Sequence, residues 1–229
     1  MRPVKADKQM KAAWGDVRRK ITPKIGQLTD SAREIDRIST EIYNLIHPTS
    51  SSGQVYGACL SSLAKAIILQ AETEVTAEKR SAGPLSQVAM HMLGALDGFG
   101  QVFWAKLVQR VGGWAVPTVP TGKWTSQEDQ MKAHGIRKEE GGWETTAARI
   151  PRVAGIMRVY FGILHQSSTS KKKLEHQAFQ APRLWVWLAR LMRNQTFWGD
   201  PMTAELLYGE CLCLLHDVDY LMISLQQLL

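Results

Sequence analysis

One stretch of the sequence, residues 63–75, constrains the fold of this chain most strongly. Apolar residues in this stretch and in the turn before it recur at positions 60, 63, 64, 67, 68, 71 and 75. Because this is the spacing of one helix face, the pattern predicts an α-helix with one buried side. Lys65 stands beside that side, where a long cationic side chain can lean over the edge of a groove. The sequence therefore predicts a packed helix with a cation at its border.

The composition is that of a globular protein with a sizeable core. Of the 229 residues, 45% are hydrophobic and 21% are charged, and both values are ordinary for folded domains. No apolar run reaches the roughly 18 residues that a membrane span needs, and no apolar segment typical of a secretory signal follows the first residue. Three cysteines are too few for a disulfide framework. We therefore expect a soluble chain in a reducing compartment.

Helical spacing continues along most of the chain. It predicts helices near 35–46, 55–79, 85–97, 99–111, 182–192 and 201–214, one that begins between 145 and 151 and continues to 164, and a last helical run that ends near 228. Ser31 and Glu34 match a capping box, residues 21–26 around Pro23 are expected to form an irregular link, and Gly83 with Pro84 is expected to break the chain between two helices. The result is an all-α fold of antiparallel helix pairs stacked side by side.

Two segments depart from this helical pattern. Residues 114–143 contain Pro117 and Pro120 and are otherwise mostly polar, apart from three tryptophans. Some thirty irregular residues inside a compact fold usually form a functional excursion, and the evidence for paired strands there is weak. Residues 167–173 are rich in serine and lysine, which predicts a flexible basic loop.

The sequence contains no recognisable catalytic constellation. A phosphate-binding loop and a nucleophile elbow are both missing from it. Cys211, Cys213 and His216 superficially resemble a metal site. Positions two apart on a helix face roughly opposite sides, however, so we interpret the two cysteines as packing residues. We expect neither an enzyme nor a metal protein.

The positive charge is concentrated at the N-terminal end. Of the formal net charge of +7, residues 1–24 carry +6, which indicates an anionic partner such as nucleic acid, an acidic protein face or a phosphorylated small molecule. Lys106 and Arg110 are four residues apart and therefore project from one helix face, with Gln109 as a neutral donor. Several cations at one place repel one another unless an anion shares the site. The spacing leaves two interpretations open, a polyanion site and scattered surface charge.

Several motifs resemble a known family. The residues that carry the resemblance are 19–28, 64–67, 70–75 (QAETEV), 105–110, 141–144 and 155–160. In this order, across about 18–192, they resemble the C-terminal domain of the mRNA-export nucleoporin Gle (GLFG-lethal), and they suggest a fungal source. The resemblance implies a basic N-terminal segment at 1–17 and a single HEAT-like helical-repeat domain at 18–229, akin to the middle domain of the cap-complex translation scaffold. Residues 193–229 match loosely, so we expect a shortened or diverged C-terminal end.

The resemblance implies a function without catalysis. Members of this family bind a DEAD-box RNA helicase at the cytoplasmic face of the nuclear pore complex and stimulate its ATPase cycle, and in fungi inositol hexakisphosphate is held between the two proteins. An FG nucleoporin with a zinc finger docks on the other half of the domain, near other cytoplasmic-face nucleoporins. RNA is contacted only indirectly, and no membrane takes part. The family's ligand pocket maps by position onto Arg18, Lys65, Lys106 and Arg110, with Lys20 and Lys24 nearby.

Two points remain open from the residues themselves. Gln109 stands where a further lysine is common in the family, which leaves the pocket one charge poorer. The bulky side chains near the C-terminal end are either core residues or part of a nucleoporin-docking groove; they are Trp185, Trp187, Trp198 and Leu207.

The alternative function is a helical scaffold that binds RNA or nucleoporin partners directly, with residues 1–24 and 171–173 against phosphates. Because aromatic residues do not alternate with these basic runs, the sequence favours the first function.

Overall fold

The computed structural model describes residues 2–170 and 173–208 of the chain. These residues contain ten α-helices, five short 3₁₀ helices and one antiparallel hairpin of two two-residue strands. The all-α fold is therefore confirmed, and the HEAT-like repeat arrangement stays a prediction. The chain divides into two compact units between Lys106 and Leu107.

The first unit is built around one long helix, Gly53–Ala77, that is buried along one wide face. Its helices are α1 (Arg2–Ala6), α2 (Lys8–Ile25), α3 (Ala32–Ile46), α4 (Gly53–Ala77), α5 (Ala82–Ala95) and the first part of α6 (Phe99–Val111). α4 packs against α2, while α3 packs against α5. Every apolar position that predicted the helix, from Leu60 to Val75, is buried. The predicted helix at 55–79 is thus confirmed, displaced by two residues at each end.

The predicted irregular link at 21–26 is wrong. α2 continues to Ile25 with Pro23 in its last turn, and the predicted boundary between residues 17 and 18 falls inside this helix. The physical reason is an apolar stripe that buries Trp14, Val17, Ile21 and Ile25 on one face. Burying the four side chains of this stripe contributes roughly 6–12 kcal/mol, whereas a proline inside a helix costs about 3 kcal/mol through a lost hydrogen bond and a clash with the carbonyl four residues before it.

Two other local predictions in the first unit are wrong. Ser31 begins α3 as expected, but its side chain caps no backbone N–H, and Glu34 instead pairs with Arg37 at 2.7 Å. The break after α4 lies at Glu78 and the following 3₁₀ turn, Lys79–Ser81. Pro84 lies in the first turn of α5, where its missing N–H removes no intrahelical bond.

The second unit packs its helices around aromatic side chains. It contains a 3₁₀ turn (Gly112–Ala115), α7 (Gln127–Ala133), β1 (Lys138–Glu139), β2 (Gly142–Trp143), α8 (Thr146–Thr169), α9 (Arg183–Arg193) and α10 (Pro201–Leu206). Phe161 on α8 meets Trp187 on α9 edge to face, with ring centroids 4.9 Å apart. Asp200 caps α10 by accepting a 2.9 Å hydrogen bond from the Met202 N–H, as the sequence predicts.

The segment at 114–143 is less irregular than predicted. It begins in the 3₁₀ turn and contains α7 and the β1–β2 hairpin, while α8 continues to Thr169 and shortens the predicted loop at 167–173. The last helical run and the Cys211, Cys213 and His216 set lie outside the described residues. None of the helices in the described residues is long and apolar enough to cross a membrane.

Candidate functional site

A buried hydrogen bond joins α2 to α4 beside two of the predicted cations. The Trp14 indole N–H donates to the Ser62 hydroxyl oxygen at 2.8 Å, and the Ser62 hydroxyl donates to the Ala58 carbonyl at 3.0 Å. The Arg18 guanidinium lies 5.6 Å from the Trp14 ring centroid, a geometry typical of a cation–π contact. Arg18 is exposed, so its guanidinium stays accessible to solvent while it lies over the indole ring.

Lys65 occupies the border position that the sequence predicts. It lies one helical turn after Ser62 and is exposed, although the residues on both sides of it, Ala64 and Ala66, are buried. Between Val55 and Ile68, Lys65 is the one residue of α4 classed as exposed. A charged side chain at that place covers the edge of the core with its methylene groups and presents its ammonium group to solvent.

The basic residues of α2 form two separate edges. Arg18 and Lys20 are two positions apart, which places them about 200° apart around the helix axis. Lys20 and Lys24, four apart, share a face, and Lys24 forms an ion pair with Glu41 of α3. The face of Lys24 is thus the one directed at α3, whereas Arg18 leans on the indole that bonds α4. Only Arg18 among these three lies at the α2–α4 contact.

The carboxylate that pairs with Lys24 is part of a small surface network. Glu41 also accepts a 2.6 Å bond from Arg37. Hydrogen bonds from Lys24 and then from Arg37 hold the pKa of Glu41 below its usual value. Because Glu41 compensates the charge of Lys24, Lys24 is a weaker candidate for an anion ligand than Arg18.

Lys106 and Arg110 lie one turn apart on α6, and both are partly buried. The spacing places the two side chains on one helix face, as predicted. Gln109, the neutral neighbour, is exposed. The backbone carbonyl of Arg110 accepts a 3.1 Å hydrogen bond from Nη1 of Arg152 on α8, so the end of α6 is held by a second helix.

Arg152 and Glu144 form a buried ion pair that the sequence analysis did not identify. Nε of Arg152 lies 2.5 Å from Oε1 of Glu144 and Nη2 lies 2.7 Å from Oε2, with side chains only 5% and 2% exposed. Burial raises the pKa of Glu144, but the hydrogen bond and charge of Arg152 outweigh this effect, and the net pKa is lowered. An arginine within the apolar run of α8 was the available signal.

Two glycines let the backbone cross itself near this ion pair. Gly112 and Gly135 have φ angles of 62° and 70°, which other residues rarely adopt. A Cβ atom on Gly112 would lie 2.4 Å from the backbone of His134, and one on Gly135 would lie 2.5 Å from the amide nitrogen of Gly112. The chain after α7 is therefore in direct contact with the turn that ends α6.

The four predicted nucleoporin-docking residues do not share one environment. Trp187 is 1% exposed, and its N–H donates to the Trp114 carbonyl at 2.7 Å; it lies in the core, which is one of the two interpretations that the sequence leaves open for these residues. Trp198 is 58% exposed. Leu207 and Trp185 are partly buried, and Nε1 of Trp185 is buried without a hydrogen-bond partner in the described residues.

The described residues offer no metal site, since residues 2–170 and 173–208 contain no group of three or more His, Cys, Asp or Glu side chains that could hold an ion.

The family described as GLE1-like protein matches residues 1–209 of the chain. The chain belongs to this family. The family membership predicted from the sequence motifs is confirmed.

Two yeast relatives of this GLE1-like chain are mRNA export factors. The GLE1 protein of Saccharomyces cerevisiae is 30% identical over 159 residues, which is 68% of this chain and 28% of that protein. The gle1 protein of Schizosaccharomyces pombe is 28% identical over 231 aligned residues, which is 99% of this chain and 44% of that protein. The chain therefore spans less than half the length of either relative.

Solved structures support the fold. One solved structure contains a variant of the S. cerevisiae Dbp5 C-terminal domain bound to Gle1 and IP6. A chain of that structure superposes on this chain with a TM-score of 0.73 and is 27% identical to it. The match covers 85% of this chain and 65% of that one. A second structure, of the same complex with a Gle1 variant, gives the same TM-score.

Proposed function

We propose that this GLE1-like chain is a non-enzymatic mRNA-export factor that binds inositol hexakisphosphate and stimulates the ATPase and RNA-release cycle of a DEAD-box RNA helicase. The observation that carries this proposal is the fold similarity to a chain from a complex of Dbp5 with Gle1 and IP6, with a TM-score of 0.73. Identity of 30% to a yeast mRNA export factor supports the same cellular process. The site of action is the cytoplasmic face of the nuclear pore complex.

The proposed ligand site draws on the basic residues at the α2–α4 contact and on α6. Arg18 lies one helical turn after Trp14, and Lys65 lies one turn after Ser62. Lys106 lies on α6, and Arg110 follows it on the same helix face. Guanidinium and ammonium groups are the donors that bind phosphate best in proteins. At about 4 Å and an effective dielectric near 20, two like charges repel by roughly 4 kcal/mol, and a polyphosphate converts that repulsion into attraction. Lys20 and Lys24, on the other edge of α2, have a peripheral role.

The chain's own residues explain how such a ligand serves helicase activation. A polyphosphate carries more negative charge than three or four cations can neutralise. These residues therefore bind one side of it, and the other side is left for a basic surface of the helicase. Arg18 and Lys65 thereby orient a negative surface toward the second RecA-like lobe. Holding that lobe favours the open helicase, which releases RNA and resets the ATPase.

Calorimetric titration with inositol hexakisphosphate tests this proposal. We expect the double variant Lys65→Gln with Lys106→Gln to bind the ligand at least about a hundredfold more weakly, because each of the two lost charge-assisted contacts costs about 1.5–3 kcal/mol. The matched control is Lys5→Gln with Lys8→Gln, which removes the same charge from exposed positions outside the proposed site and should leave the affinity unchanged. Unchanged affinity in the first double variant would show that the pocket is misassigned, and a wild-type chain that binds no ligand would refute the function.

An N-terminal basic surface favours a second candidate, a helical scaffold that binds RNA directly. Lys5, Lys8, Lys11 and Lys20 are exposed on α1 and α2. This function predicts an RNA affinity that falls steeply with salt, because each neutralised phosphate releases counterions. Titrating RNA with and without inositol hexakisphosphate separates the two functions. RNA binding that is tight and independent of the ligand would favour the scaffold.

A further inference from the structure

Arg152 bonds the end of the helix that carries Arg110. The last four carbonyls of an α-helix lack intrahelical partners, and the Arg110 carbonyl is one of these in α6. Nη1 of Arg152 donates to it at 3.1 Å, while Nη2 donates to the Gly135 carbonyl at 2.9 Å. A positive charge at this end of a helix also interacts favourably with the helix dipole. Arg152 therefore caps α6 from a helix that begins 35 residues after α6 ends.

Glu144 fixes the orientation of the Arg152 guanidinium. It accepts two hydrogen bonds from Arg152, at 2.5 and 2.7 Å, and a further one from the Arg137 backbone N–H at 3.3 Å. The Glu144 N–H in turn donates to the Arg137 carbonyl at 2.9 Å. The carboxylate thus joins both ends of the β1–β2 hairpin to the guanidinium.

The stability of the core alone does not explain why this ion pair is present. Well-packed apolar residues often replace a buried ion pair without loss of stability. Only a forked, planar donor, however, can bond one carboxylate and two backbone carbonyls at once. The arrangement fixes the direction of the last α6 turn relative to the chain at 134–135, which crosses the end of α6 at the Gly112–Gly135 contact.

We infer that Arg152, oriented by Glu144, is a positioning residue for polyphosphate binding, because it fixes the α6 turn from which Arg110 projects. The inference rests on the proposed function and adds two residues to it that contact no ligand. Loss of the clamp leaves the charge of Arg110 in place but lets its helix turn move. The affinity for inositol hexakisphosphate then falls without any change in the number of cations at the site.

A double-mutant cycle measured by calorimetry tests this inference on the full chain. The variants are Arg110→Gln, Glu144→Gln and the two combined, with inositol hexakisphosphate as the probe. We expect each single variant to lower the affinity by about tenfold, and the combined variant to bind no more weakly than Arg110→Gln alone. Non-additivity of this kind identifies residues that act through one another.

Two further variants separate positioning from general destabilisation. Tyr160→Phe removes a buried 2.8 Å hydrogen bond from α8 to the Ala178 carbonyl, and we expect it to lower the unfolding midpoint without changing ligand affinity. Arg152→Lys keeps the positive charge but loses the fork, so we expect it to weaken binding as Glu144→Gln does. Circular dichroism at the titration temperature shows that each variant is folded.

The outcomes distinguish the inference from the function it rests on. If Glu144→Gln and Arg152→Lys bind as tightly as wild type while Arg110→Gln is weaker, the positioning role is refuted and the function stands. Fully additive effects in the cycle would also refute it, since the clamp would then act elsewhere than through Arg110. A wild-type chain that gives no binding heat refutes the function itself.

Discussion

The indole N–H of Trp14 and the hydroxyl of Ser62 are joined by a 2.8 Å hydrogen bond between residues 48 positions apart in the sequence. It is the polar contact that fixes α2 on α4, because the rest of the buried α2 face is apolar. The same indole supports Arg18, and Ser62 precedes Lys65 by one helical turn. The bond therefore links the placement of two proposed ligand residues.

Trp14→Phe removes this bond while keeping an aromatic ring in the core. We expect the free energy of unfolding to fall by about 1–3 kcal/mol, because the change takes away a buried donor and leaves packing volume unfilled. Urea denaturation measures it. Trp124→Phe, at a tryptophan that is 37% exposed, is the matched control and should change the value by less than about 0.5 kcal/mol. Equal losses in the two variants would contradict the role of the Trp14 bond.

The pH dependence of stability should report the Glu144–Arg152 pair. The folded pKa of Glu144 lies below its ordinary value of 4.5, so the ionised carboxylate stabilises the fold above that pH and this stabilisation is lost as the pH falls through the folded pKa. We expect Glu144→Gln to cost about 3–5 kcal/mol at neutral pH and the difference from wild type to shrink below pH 4.5. Urea denaturation at a series of pH values measures both. A difference that is constant with pH would show that Glu144 is not ionised in the fold.

Gly112→Ala should destabilise the second unit strongly. The new Cβ would meet the His134 backbone at 2.4 Å, at a φ angle of 62°, and we expect a loss of about 3 kcal/mol or more from clash and strain combined. Gly199→Ala is the control, because its Cβ would have no neighbour within 4 Å. Thermal unfolding compares them. Similar midpoints for both variants would show that the chain can separate at the Gly112–Gly135 contact.

The nucleoporin docking that the family resemblance implies predicts that Trp198→Ala weakens binding of such a partner without unfolding the chain. Trp198 is 58% exposed, so we expect its removal to change stability by less than about 1 kcal/mol and to reduce capture of a purified FG nucleoporin tail. Trp187→Ala should instead cost about 3–5 kcal/mol, since that indole fills the core. Pull-down and thermal unfolding measure the two effects. Undiminished capture by the Trp198 variant would place the docking surface elsewhere.

Local periodicity was sufficient to predict most helices and the border position of Lys65. The apolar positions from Leu60 to Val75 are all buried, because a helix with one wide apolar face has few ways to shield it from water. The same reasoning gave a wrong prediction at Pro23. The signal for a break is local in the sequence, whereas the burial of Ile21 and Ile25 depends on packing against other helices. The family motifs could be recognised from the sequence, although the convergence of the cations stays a prediction.

The sequence by itself determined the helical class, the family and the surface position of Lys65, because these depend on short-range spacing and residue order. Only the tertiary structure decided which charges oppose one another. It pairs Lys24 with Glu41 of α3, whereas Arg18 lies over Trp14. It also places Trp187 in the core and joins Arg152 to Glu144 and to the end of α6. The physical reason is that an ion pair or a cap depends on distances between elements, and local spacing does not contain those distances.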